Sequence, residues 1–459
     1  MKLCLLWVAF GLASAAFGCG SPRGGQASDG AVGGAGNSSG MNGGATDSSG
    51  SSGAGSGAPP SGGASGAAHP AAEAGAETAG GARSGGGTAG ADGGALPFAP
   101  LDLNDITILA PLPASRDRPI LLRASDLADD GTGLVPQAFV DRLLGGGPFG
   151  AAVGTFAPFF QYLQLVAVRF DLCDRHLPGT CPEPEDARLR LVFQPLLDPS
   201  SAQDIGLHAF YVIRRDEIAG AVAELRELAT LAPAQSGALR VSPALSAANP
   251  EPYAAALRAF VRRYGGESRL ARLTMNARDL NFDGLAWTLR GLEKKADTFT
   301  EMAIPGVSES GVKTSEVVFF SGGSSYTATP TTDTPSGLQV ALSQAAFERA
   351  DATSQGASLA ALAQVDDPLS TTAETVACVA CHVSTVVLSA RGASAGIDPR
   401  TLPNRYASQF ELSTAAGMSA QTPQTLRALG YQALQPMISQ RVVNETAQTL
   451  TEIEQRFPR

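Results

Sequence analysis

Leu165-Val166-Ala167-Val168-Arg169-Phe170 and Leu189-Arg190-Leu191-Val192-Phe193 decide how the chain folds. Both alternate with a period of two, the mark of half-buried strands. His208-Ala209-Phe210-Tyr211-Val212-Ile213 reads as a third strand, and Ile106 to Leu109 as an earlier one. Further strands are expected at 270–277, 285–289, 299–304 and 317–320, and the Ser, Thr, Gly and Pro run from Ser321 to Gly337 as a loop. Asp216 is positioned to cap a helix with Ile218, Val222, Leu225 and Leu228 on one face. Asn249-Pro250 opens a second helix with Leu257, Phe260, Val261 and Tyr264 as its stripe, and Gly265-Gly266 end it. The order is not a strict strand–helix alternation. It predicts an α+β domain over 96–356 with a mainly antiparallel sheet.

Few residues in this body suggest chemistry. Cys173 and Cys181 flank a loop between two strands. A disulfide pinning that loop is expected, with a metal site including His176 as the alternative. His208 stands at a strand start and reads as structural. Asp279 to Gly284 resembles the first half of a calcium loop, but Arg290 stands where that loop needs a Glu. Asp283-Gly284 between two strand runs fits a hairpin turn. The body holds no G-x-S-x-G or H-E-x-x-H, and no catalytic residue is assigned.

Upstream the composition changes. Met1 to Gly18 has a Lys followed by an apolar run too short to span a bilayer comfortably, the pattern of an export signal. From residue 19 to 95 the chain is Gly, Ser and Ala with scattered polar residues. Such a segment cannot bury a core and is expected as a disordered tether with a reach of roughly 50 Å. The chain has 459 residues, a net charge of −10 and a pI of about 5.0. That balance argues against nucleic acid as a partner, because phosphate binding needs a basic surface.

Downstream, 357–459 reads as helical. Leu359, Leu362 and Val365 mark a short helix. Thr371 with Glu374 forms a capping box for a helix running to about Leu388. Thr422 opens another, carrying Leu426 and Leu429 and stopped by Gly430. Val442, Val443, Thr446, Leu450 and Ile453 stripe the last one. The capped helix carries Cys378-Val379-Ala380-Cys381-His382, the C-x-x-C-H attachment pattern of a c-type haem. Two cysteines three apart share one side of a helical turn, so both sulfurs can reach the two vinyl groups, and His382 can then put a nitrogen on the iron. A C-x-x-C redox disulfide or half of a zinc site are the other uses of such a pair.

Two resemblances follow from these residues. Ala16-Phe17-Gly18-Cys19 is similar to a bacterial lipobox, which implies lipidation of Cys19, and Gly20 after it resembles the outer-membrane class. Plain secretion after Ala13-Ser14-Ala15 is the alternative. The segment 357–459, with C-x-x-C-H near its start and Pro436-Met437 before a terminal helix, resembles a class I monohaem cytochrome c, a small all-α domain. That resemblance implies one covalent haem c on Cys378 and Cys381, His382 as proximal ligand and Met437 as distal ligand, with Met418 as rival. The expectation is a lipid-anchored, exported electron-transfer protein on the periplasmic or cell-surface side of an outer membrane, working with redox partner proteins. A cell-surface binding lipoprotein without haem and an oxidoreductase with a catalytic middle domain stay open.

Overall fold

The computed structural model describes residues 100–145, 160–172, 186–198, 201–232, 237–279, 285–296, 298–307, 311–319, 326–329, 335–373, 375–403, 406 and 428–459. The signal and tether, Cys19, Cys173, Cys181, His176 and Met418 lie outside the described residues.

The elements run in this order: α1 (Leu103–Ile106), β1 (Thr107–Leu109), α2 (Gln137–Gly145), β2 (Leu163–Asp171), β3 (Asp186–Asp198), β4 (Ser201–Ala202), β5 (Ile205–Arg214), α3 (Arg215–Thr230) and α4 (Glu251–Tyr264). Then come β6 (Leu270–Asp279), β7 (Leu285–Lys295), β8 (Thr298–Glu301), β9 (Thr314–Phe319), β10 (Tyr326–Thr329), α5 (Leu338–Ala341), α6 (Gln344–Arg349) and α7 (Ala352–Val365). The chain closes with α8 (Cys378–Ala395), β11 (Leu429–Gln432), β12 (Gln435–Ile438) and α9 (Gln440–Arg456).

The first ten strands form one sheet in the order β1-β2-β3-β5-β6-β7-β9-β10, with β4 beside β3 and β8 beside β7. Every pairing is antiparallel. The α+β reading with a mainly antiparallel sheet therefore holds. β10 falls inside the stretch read as loop; its Tyr326 to Thr329 pair with Phe319 to Glu316 on β9. Its Tyr and two Thr residues are good strand formers, masked in sequence by the Ser, Gly and Pro around them.

The central strands are buried on both faces, not one. All nine residues of β2 are buried. Across the sheet the row Ile108, Val168, Leu191, Ala209, Leu273 and Leu292 is wholly apolar. It packs with the stripes of α3 and α4 in the largest core. The next row on the opposite face is Thr107, Arg169, Arg190, Phe210, Arg272 and Glu293. The alternation in sequence is thus apolar against charged, yet Arg169 and Arg188 are only 1% and 2% exposed. The charged face is covered by the C-terminal segment, and its charges are paired.

That segment shares its cores with the rest of the chain. Gly90–Arg459 forms one compact unit. Val442, Val443 and Ala447 of α9, with Leu429, Tyr431 and Ile438, pack against Leu109, Ala167 and Val192 of the sheet. The helices α5 to α8 share a third core with Trp287, Leu289, Ile304 and Val317. The apolar stripe of α9, expected to seal a small all-α domain, is instead laid against the strands. The segment also contains a hairpin, so Leu429 and Gly430 open a strand instead of ending a helix.

Candidate functional site

The helix bearing the C-x-x-C-H starts at Cys378, later than the sequence suggests. Thr371 cannot cap it, because its hydroxyl is used elsewhere: it accepts from Arg441 Nη1 at 2.8 Å and reaches the carbonyls of Gln364 and Val365 at 3.2 Å. Glu374 lies outside the described residues. Ala377 is extended (φ −58°, ψ 141°) and no side chain caps the helix. The motif therefore occupies the first turns of α8. The helix runs on to Ala395 and ends at Gly396, whose φ of +67° is the left-handed conformation glycine adopts most easily. α8 is long and apolar enough to cross a membrane by length and composition, but half of it is buried in the core.

Cys378, Cys381 and His382 line one cavity of about 100 Å³ with His208, Phe210, Arg190, Arg272, Thr274, Met302, Arg441 and Glu445. No disulfide joins the two cysteines. A helix N-terminus favours thiolate, but burial outweighs it: the Cys381 thiol is pushed up to about 12. Two sheet rows supply the floor. His208 sits between Val192 and Thr274, and Phe210 between Arg190 and Arg272. The guanidiniums of Arg190 and Arg272 lie 4.8 and 5.8 Å from the Phe210 ring centre. Gly291 follows Thr274 in its row. A Cβ there would come within 2.9 Å of the Met302 methyl, so the missing side chain lets Met302 form part of the wall.

The remaining wall is held by a buried polar network. Arg441 donates to the carbonyls of Val365 and Thr371 at 2.7 and 2.9 Å and to Glu445 at 2.6 Å. Glu445 also pairs with Arg169. Burial opposes ionisation of Glu445, but Arg169, Arg441 and Arg190 outweigh it and hold the carboxyl well below its usual range. Asp366, capping the end of α7, accepts from Ser384 of α8 at 2.6 Å, and its carbonyl accepts from Asn444 of α9 at 2.7 Å. These bonds fix α7, α8 and α9 around the cysteines.

The structure brings Cys378, Cys381 and His382 together. Met437, the expected distal ligand, is 1% exposed on β12, paired with Gly430, and does not line this cavity. His208 does: its ring centre lies 5.9 Å from that of His382, with the ring planes 70° apart. The sequence reads His208 as structural because a single His in a strand carries no spacing signal. The only hint is its place in period with Phe210.

Among the described residues no three His, Cys, Asp or Glu side chains form a metal-holding group. The donor set does match a covalently held haem: two thiols on one turn for the vinyls and imidazole for iron, with Arg272 in the same lining and Arg190 already paired with Asp171. The enclosed space of about 100 Å³ is small beside the ~300–1,000 Å³ usual for ligand sites, and the cleft around it opens to solvent. Compared with protein-family models, curated proteins and solved structures, the chain matches none.

Proposed function

We propose that this chain is an exported, lipid-anchored c-type cytochrome that passes single electrons between partner proteins through one covalent haem. The observation that carries the reading is that both thiols of the C-x-x-C-H and His382 line one cavity at the start of α8. The haem supplies one reversible electron at its iron. Cys378 and Cys381 would form the thioether links, and His382 would hold the iron from the same helix. Arg272 would meet a carboxylate, and Phe210 would press on the ring. The apolar residues Val376, Leu429 and Val442 would limit water at the iron.

The resemblance to a class I cytochrome c enters through the attachment motif, while the surroundings are a sheet face. Cys19 would carry the lipid, and residues 19–95 would serve as the tether that holds the folded body off an outer membrane.

The full chain, produced with cytochrome c maturation functions, should retain haem through acid-acetone extraction. Cys378→Ser with Cys381→Ser should abolish that retention. A wild-type chain that carries no covalent haem removes the reading. For the anchor, Cys19→Ser should move the protein from the detergent phase to the aqueous phase.

A further inference from the structure

We infer that His208 is the second axial ligand, so that the site is built for bis-histidine ligation; this rests on the haem reading above. Two metal–nitrogen bonds of about 2 Å, plus roughly 1 Å from each nitrogen to its ring centre, place two axial imidazoles about 6 Å apart, centre to centre. His208 and His382 stand 5.9 Å apart. Ring planes 70° apart are compatible with both rings standing upright on one iron, because rotation about the shared axis is free in principle.

Placement supports the assignment. His382 sits on the same helical turn as the cysteines, and His208 comes from strand β5, between β3 and β6 and 7% exposed. Ligands from a helix and from the sheet face it covers would clamp the group between two layers. The neighbours of His208 in its row are Val192, Thr274 and Gly291, all smaller than histidine, so the imidazole stands above them. The rival sulfurs are placed differently. Met437 is packed in the β11–β12 hairpin. Met302 does line the cavity, over Gly291, and is the sulfur that the Met302→Leu variant tests.

The consequence is electronic. Two imidazoles give low-spin iron in both oxidation states without the long-wavelength sulfur-to-iron band of methionine ligation. They also set a lower potential than a His/Met pair, since a thioether favours ferrous iron.

The test uses the full haem-loaded chain, with optical and electron paramagnetic resonance spectra as readouts. Wild type should be low-spin without the sulfur band. His208→Ala should keep its covalent haem, turn high-spin, and return to low-spin on adding imidazole. His208→Met, which preserves bulk if the Ala variant does not fold, should gain the sulfur band and a higher reduction potential. Met437→Leu and Met302→Leu should leave the spectrum unchanged. A chain without covalent haem overturns the haem reading and this assignment with it. Covalent haem with a sulfur band in wild type, or one whose spectrum is unmoved in both His208 variants, overturns only the assignment of His208.

Discussion

Glu217 accepts two hydrogen bonds from Arg269, each 2.7 Å long. Arg269's hydrogen bond is the leading reason its carboxyl is pushed down to about 2. A carboxylate whose pKa is lower folded than unfolded stabilises the fold above its unfolded value of 4.5, and that stability is lost as pH falls towards 2. The pair is partly exposed and screened by solvent, so its contribution is about 1 kcal/mol. Glu217→Gln should therefore lower stability at pH 7 and flatten its decline between about pH 4.5 and 2, as read by urea unfolding at each pH. Asp105 works in the opposite sense. Burial raises its carboxyl to about 6, so the folded state loses stability as pH rises from 3.8 through that value. Asp105→Asn should flatten the pH dependence there. At this scale the placing of Cys378, Cys381 and His382 along one cavity was legible because fixed spacing encodes a shared helical turn. His208 was not, because its partner lies 174 positions away by sequence number and only the sheet register brings them together.

Arg441 shows what holds the elements together. It is buried on α9 and reaches the turn after α7 and the carboxylate of Glu445. Removing one partner from a buried charge network typically costs about 3–5 kcal/mol. Arg441→Met should lower the urea midpoint accordingly, more than Arg400→Met, whose ion pair with Asp398 is exposed. The hairpin is pinned similarly. Gln194 donates to the Tyr431 carbonyl at 2.8 Å and accepts from its backbone N–H at 2.6 Å. Most strands were readable from period-two runs, and α9 from its stripe. The start of α8 was misread because a Thr and a Glu three apart look like a cap whether or not the Thr hydroxyl is already used. The hairpin was missed because Pro436 argues against a strand, although an edge position tolerates it.

At the scale of the whole molecule, the C-terminal segment and the sheet share their cores. Ile453 of α9 belongs to the core that also holds Leu257 and Phe260 of α4. Residues 90–459 should therefore unfold in one cooperative transition, with near- and far-ultraviolet circular dichroism falling together. A fragment of residues 357–459 should remain unfolded, because α9 would expose the face it lays on the strands. No composition or periodicity separates an independent helical domain from a helical cover; the difference lies in which surface each stripe meets.

The cavity beneath α8 is walled by a central strand on one side and by the last helix on the other, with only about 100 Å³ between them. For a haem protein this is a constraint on timing. If the proposed haem is attached, its thioether bonds would have to form before α9 closes over the sheet. A chain that folds first would present two thiols only partly exposed in a finished wall, with burial holding that of Cys381 in its protonated form.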